Sequence, residues 1–221
     1  MKGNKYHKMI IDYIRKNRVS TTEVADCLNK TGAIPNVRAI SRGHFKVGNL
    51  FWGYAHDETN WYVHEQIQDV KEGDIVFIEV FNCQDRAIFG DLVSKYIILY
   101  KQASAIVVQG NLRDAHRLVK ENWPIWCSGF SPIGCFNKKL DHGLDTKITK
   151  EGERKYSGAI AVCDDSGVVV IPKEHHNGEF LKKLEFIEQQ EDIWYDCIDR
   201  KKWSTYETVC LKNYLKGKRS I

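Results

Sequence analysis

Little in this chain would break a fold, cross-link it or carry it into a membrane. Only 4 prolines occur in 221 residues, and with 43% apolar and 28% charged residues the composition is globular rather than disordered. No apolar run reaches the length needed to span a bilayer, so no membrane association is expected. None of the 7 cysteines stands in CxxC spacing, and no His–Cys cluster has zinc-finger geometry. With no secretory h-region at the N-terminus, they read as reduced, mostly buried thiols of a cytoplasmic protein. A strong excess of one charge is lacking too. The net charge is +4, much of it in the terminal segments MKGNKYHK and LKNYLKGKRSI, where solvated ends account for it, so nucleic acid is not an expected partner. No internal repeat or low-complexity tract stands out. A chain of this length can bury a substantial core, as one large domain or as one domain with an appendage.

What is present is concentrated in Phe89–Asp114, FGDLVSKYIILYKQASAIVVQGNLRD. A Gly-Asp entry leads into a helix in which Leu92, Tyr96 and Leu99 recur at helical spacing, with Val93, Ile97 and Tyr100 broadening the same apolar face. Ala105–Val108 is short and β-branched, as a buried strand would be. A Gly-Asn-Leu-Arg-Asp turn follows, and Arg113 and Asp114 open a helix running to about Asn122. A cation and an anion therefore stand at the mouth of a strand-to-helix loop, near backbone N–H groups that favour anionic ligands. A carboxylate there can take a hard divalent cation, the adjacent arginine can grip a second carboxylate at two points, and Gly90 and Gly110 leave room for a small anion. Glu79, Asp85 and His116 are further polar groups close to this motif in sequence.

The remainder reads as scaffold. Lys5–Arg15 has helical apolar spacing, and Ser20-Thr21-Thr22-Glu23 matches a capping box that starts a short helix ending near Gly32. Phe45–Tyr54, Ile75–Val80 and Pro124–Cys127 read as strands, and Trp61–Gln68 as a short helix. Gly129–Gly134 reads as a loop, and the charged region Asn137–Tyr156 is weakly patterned, as strands with long connections would be. Ala159–Cys163, the turn Asp164-Asp165-Ser166-Gly167 and Val168–Ile171 form a hairpin, in which both aspartates have a turn role. Beyond Pro172, His175 and His176 are not spaced as a metal pair, and a long helix from Phe180 and a second over Ser204–Leu215 are expected. The aromatic residues Phe51, Trp52, Tyr54, Trp61 and Tyr62 suit a core or a subunit interface.

Five segments together carry a family resemblance: STTEVADCLNKTG at Ser20–Gly32, EGDIVFIE at Glu72–Glu79, FGDLVSK at Phe89–Lys95, IVVQGNLRD at Ile106–Asp114 and DDSGVVVIP at Asp164–Pro172. In order and spacing they resemble the family that contains the regulator of ribonuclease activity A and the metal-dependent 4-hydroxy-4-methyl-2-oxoglutarate aldolases. The resemblance, over about residues 19–175, implies an α/β protein, an α/β/β/α swivelling domain of the phosphohistidine-domain-like kind. With the N-terminal helices this domain is expected to occupy residues 1–177, and a C-terminal helical extension over 178–221, longer than the resemblance requires, is expected to follow. The resemblance also implies a homotrimer or hexamer with a cleft between subunits, a divalent cation (Mg²⁺ or Mn²⁺) and a small 2-oxo acid substrate. Carried onto this chain, Asp114 belongs to the metal site, Arg113 contacts the substrate carboxylate, and the amides after Gly90, those of Asp91, Leu92 and Val93, hold the same substrate.

The reaction so implied is carbon–carbon cleavage releasing pyruvate, of the aldolase or oxaloacetate decarboxylase type, in which a Lewis acid stabilises the developing enolate. The chain departs from the aldolases at Arg117, where they carry an acid three residues after the motif aspartate, and at Gln109, where Asp precedes the glycine. The alternative expectation is a non-catalytic protein that, like the ribonuclease regulator, binds an endoribonuclease or a helicase.

Overall fold

A computed structural model describes residues 4–218. Part of the terminal charge, at Lys2 and Arg219, lies outside the described residues. Helix α1 (Lys5–Asn17) turns Ile10, Ile11 and Ile14 inward and is capped by Asn4, whose side chain accepts from the Tyr6 amide. Helix α2 (Thr21–Cys27) starts at the expected capping box. The Glu23 amide donates to Ser20 Oγ at 3.2 Å, and the Ser20 amide to Glu23 Oε2 at 2.7 Å.

Seven strands follow: β1 (Arg38–Ala39), β2 (Lys46–His56), β3 (Ile75–Phe81), β4 (Ala105–Leu112), β5 (Ile125–Phe130), β6 (Ile160–Asp164) and β7 (Gly167–Ile171). They form one sheet in the order β1-β5-β4-β3-β2-β6-β7. The run β2-β3-β4-β5 is parallel, and the pairs at either end are antiparallel. Parallel neighbours require crossovers, which α3 (Trp61–Gln66), α4 (Asp91–Lys95) and α5 (Ala115–Glu121) supply. Just before β1, Ala33 bridges to Val169 and the Ile34 amide donates to the Val168 carbonyl at 2.9 Å. The two ends of the sheet thus meet, and the mixed sheet is a nearly closed barrel.

Alternate residues of the strands point to opposite faces, and both faces are covered, so their apolar runs are almost continuous. Ile75, Phe77, Ala105, Val107 and Trp126 pack with Ala161, Cys163, Val168 and Val170. Their neighbours Val76, Ile78, Ile106 and Val108 face outward and are covered by Val63 of α3, Val93 of α4 and Leu118 of α5. A second outer layer joins Val47, Ile160, Val162 and Ile171 to α1, α2 and helix α7 (Gly178–Asp199), which contributes Phe180, Leu184 and Ile187.

Several expectations are corrected. Within the region expected to form strands, Thr146–Tyr156 is a helix preceding β6, here α6, capped by Asp145. It lies so close to β2 that a Cβ on Gly152 would overlap the Trp52 indole. Strand β4 does not stop at Val108 but continues to Leu112 through a register shift between Val108 and Asn111. Gly110 makes room there for Val80, which a Cβ would approach to 2.8 Å. Likewise β5 extends to Phe130, two residues into the expected loop. The segment 204–215 forms a π-helical turn, Tyr206–Cys210, and a separate 3-10 turn, Asn213–Lys218, instead of one helix. The helix after Gly90 passes from α geometry into a π-helical turn at Tyr96–Tyr100, which changes the residues that share its inner face. Val93 and Ile97 are buried, whereas Leu92, Tyr96, Leu99 and Tyr100 are exposed, Leu92 by 78% and Tyr100 by 73%.

Candidate functional site

The cleft is built where Ala87–Gly90 runs beside the end of β4. The Ile88 amide donates to the Asn111 carbonyl at 2.8 Å, and the Arg113 amide to the Phe89 carbonyl at 3.0 Å. Ala87 also bridges Gly134, which brings the 131–137 connection to the same place. These contacts press Gly90 against the Arg113–Asp114 turn, where a Cβ would collide with the Asp114 carboxylate and come within 2.8 Å of Arg113 Cγ. Asp114 takes left-handed backbone angles, φ 58°, which aspartate tolerates better than most residues. Its carboxylate does not cap α5 but accepts from the Asp91 amide at 3.2 Å, with Arg113 Nε 3.6 Å away. The Arg113 side chain is about half exposed, at 53%, and its Nη1 runs over Gly134, where a Cβ would lie only 3.0 Å from it.

The six residues expected at the site, Gly90, Asp91, Leu92, Val93, Arg113 and Asp114, therefore line one cavity of about 130 Å³. One of the three expected cradle amides, that of Asp91, is already engaged by Asp114. Arg117 does not point at Asp114. Its Nη1 lies 2.7 Å from Asp91 Oδ2, and this hydrogen bond holds the Asp91 carboxyl below the usual range. Glu79 and Asp85 are not among the cleft-lining residues, and neither is His116. Glu79 instead accepts from Trp52 Nε1 at 3.0 Å, and burial pushes its carboxyl up.

Sequence reasoning missed Asn60, His64, Cys135 and Asn137 in the same cavity. Asn60 donates to the Ile88 carbonyl at 2.8 Å, while its Oδ1 is buried with no partner among the described residues. The Cys135 thiol is raised by its shared hydrogen bond with Cys83 and by burial, which argues against a thiolate nucleophile. These residues arrive from distant segments, and no local motif announces them.

A second cluster was also missed. His56 at the end of β2, the adjacent Asp57 and His142 on the 131–145 connection bring one ligand atom each to within 4.8 Å of one another, and the trio could coordinate a divalent cation. The Asp57 carboxyl is lowered to about 2, chiefly by its hydrogen bonds with His56 and Asn82. By contrast His176 is buried beside α1, its Nδ1 3.1 Å from that of His7, and is not part of the trio.

Comparison with known proteins bears on this geometry. Residues 21–170 match the RraA-like family described as Aldolase/RraA. The chain belongs to that family. Among its relatives is a protein of Halalkalibacterium halodurans named "Putative 4-hydroxy-4-methyl-2-oxoglutarate aldolase", 28% identical over 165 residues that cover 74% of this chain and 78% of that one. Protein DlpA of Legionella pneumophila is 23% identical over 171 residues; these are 73% of this chain but only 27% of the length of DlpA. The fold is also that of Streptomyces coelicolor RraAS2, described as an unusual member of the RNase ES inhibitor RraA protein family. That structure gives a TM-score of 0.65 at 22% identity, covering 83% of this chain and 94% of the other. The family match spans α2 to β7, so every element of the Gly90–Asp114 cleft and both histidines of the second cluster lie inside it.

Proposed function

We propose that this RraA-like chain is a divalent-metal-dependent carbon–carbon lyase acting on a small 2-oxo acid and releasing pyruvate, of the 4-hydroxy-4-methyl-2-oxoglutarate aldolase or oxaloacetate decarboxylase type. The observation that carries the proposal is the convergence of Gly90, Arg113 and Asp114 in a cavity of about 130 Å³, a size suited to a small anion. The name of the Halalkalibacterium halodurans relative points the same way. The finer likeness to a phosphohistidine-domain-like swivelling fold, and a cytoplasmic location, belong to the same proposal.

The donor set fits a hard cation. Asp114 offers carboxylate oxygens at the cavity wall, and one carboxylate completed by water is a usual way of holding Mg²⁺ or Mn²⁺. Such an ion, when bound, supplies Lewis-acid stabilisation of the charge that develops as the C–C bond breaks. Arg113 would grip the substrate carboxylate with its exposed guanidinium, and the first-turn N–H groups of Leu92 and Val93 would orient the same anion. Arg117 is paired with Asp91 rather than with the Asp114 carboxylate that would hold the cation. Decarboxylation needs no further base. Retro-aldol cleavage needs one for the C4 hydroxyl, a proton transfer that we assign to cleft water.

The exposed Leu92, Tyr96 and Tyr100 line a larger groove of about 540 Å³ that shares His64, Leu92 and Val93 with the cleft. This supports a homotrimer or hexamer in which a neighbouring copy completes the site. The second reading, a non-catalytic protein that binds a ribonuclease or helicase, is favoured by two departures from the aldolases: a cation, Arg117, where they carry an acid, and Gln109 where Asp precedes the glycine. Purified protein given oxaloacetate or 4-hydroxy-4-methyl-2-oxoglutarate with Mg²⁺ or Mn²⁺ should release pyruvate. Release no greater than that of Asp114→Ala would defeat the lyase reading and leave the binding one, to be tested by recovery of a stable partner from lysate.

A further inference from the structure

The turn after β2 is built to aim a carboxylate. Asp57 and Glu58 both have left-handed backbones, φ 48° and 60°, and Thr59 bridges back to His56. Asp57 Oδ2 consequently lies 2.9 Å from His56 Nδ1 and 3.2 Å from His142 Nε2, so two imidazole nitrogens converge on a single oxygen. Each partner is held by something else. Asn82 Nδ2 donates to the other carboxylate oxygen at 2.6 Å and fixes its rotation. The Tyr62 ring stacks on His56 at 4.7 Å, and its hydroxyl donates to the His142 carbonyl at 3.1 Å. His56 is only 1% exposed, and the nitrogen it brings to the cluster is Nδ1, its Nε2 being buried without a partner among the described residues.

We propose that His56, Asp57 and His142 form a transition-metal site, separate from the Asp114 cleft, which takes a zinc-class divalent cation with two imidazoles and one carboxylate. Imidazole nitrogens favour Zn²⁺, Co²⁺ or Ni²⁺ over Mg²⁺, whose preferred ligands are oxygens. Three protein ligands leave a coordination position for water, and His142, 65% exposed, keeps that side of the site at the surface. The supports just described are of the kind that orient ligands in known sites: a hydrogen-bonded carboxylate and a ring locked by stacking.

The position of the site gives it a role. It joins the end of β2 to the 131–145 connection, and a few residues from each ligand the chain lines the cleft, through Asn60 on one side and Gly134, Cys135 and Asn137 on the other. Thr59 Oγ1 already ties these segments, with the Phe136 carbonyl at 2.8 Å and that of Lys138 at 2.7 Å both within reach of its single O–H. The metal would be a pin that fastens one wall of the cleft, and it requires no chemistry at Asp114.

Tag-free protein treated with chelator and then titrated with Co²⁺ tests this directly. The expected result is one equivalent bound with the visible d–d absorption of nitrogen-ligated cobalt, displaced by Zn²⁺ and unchanged in Asp114→Ala. His142→Ala, at an exposed position, should fold normally and bind at least about 10-fold more weakly. Asn82→Ala should weaken binding by about 10-fold, as loss of a supporting partner does. Binding should also raise the melting temperature of the native protein but not of His142→Ala. No cobalt absorption, or an absorption kept in His142→Ala and lost in Asp114→Ala, would overturn the proposal.

Discussion

Gly90 is the residue at which the proposed cleft has least tolerance. Nothing larger fits between Phe89 and the Arg113–Asp114 turn, because the space a methyl group would take is filled by the Asp114 carboxylate. Gly90→Ala should therefore move the carboxylate while leaving the barrel intact. Displacement by about 1 Å is enough to cost roughly 10²-fold in rate, so pyruvate release should fall by that order with the circular dichroism spectrum unchanged. Glu79 provides a test of opposite kind, on stability. Its buried carboxyl is pushed above the ordinary range, so it favours the folded state fully below the unfolded value and loses that contribution as pH rises through the folded value. Glu79→Gln retains an acceptor for Trp52 and has no charge to bury. Its stability relative to the native protein should increase between about pH 4 and pH 7, near and above the ordinary carboxylate value, as followed by urea unfolding. A difference that is flat across this range would mean that Glu79 is solvated. Arg113 and Asp114 were legible as a pair because both belong to one turn. Asn60, His64 and the His56–Asp57–His142 trio were not, since only the tertiary fold brings residues as far apart as 57 and 142 together.

Elements were legible where their signals are local. The capping box at Ser20 and the hairpin at Asp164–Gly167 each depend on residues within one turn of chain, and both form as expected. What sequence could not reveal is that they are joined. Asp164 accepts from the Thr21 amide at 2.8 Å, from Thr21 Oγ1 at 2.7 Å and from its own Ser166 amide at 2.8 Å, so one carboxylate serves both the hairpin and the start of α2. Asp164→Ala should accordingly destabilise more than Ser20→Ala, for which loss of a helix cap predicts about 1 kcal/mol. Chemical denaturation of the two variants measures the ranking, and an equal cost would show that the Thr21 contacts contribute nothing. Helix α6 escaped notice for the opposite reason. It buries only Gly152 and Tyr156, too few for a periodic apolar signal, and glycine is chosen there for its contact with Trp52.

At the scale of the whole molecule, the helix after Gly90 is where sequence pattern and fold part company in an informative way. Periodicity identifies an apolar face but cannot say what covers it. The barrel takes Val93 and Ile97, and leaves Leu92, Tyr96, Leu99 and Tyr100 facing outward beside the cleft. A contiguous exposed patch of this kind, next to a cleft, is the usual mark of an interface. Leu99 and Tyr100 can be changed without touching the residues assigned to substrate, which separates assembly from chemistry. Leu99→Asp combined with Tyr100→Asp should leave the fold intact and convert the protein from a multiple of 25.6 kDa to the 25.6 kDa chain itself, measured by light scattering after size exclusion. If a neighbouring copy completes the cleft, pyruvate release should fall with the loss of assembly and recover partly at high protein concentration, where mass action restores the contact. A native protein that is already monomeric would remove the shared cleft from the proposal. A monomeric variant with full activity would show that residues 87–114 and the 131–137 connection make the site within one chain.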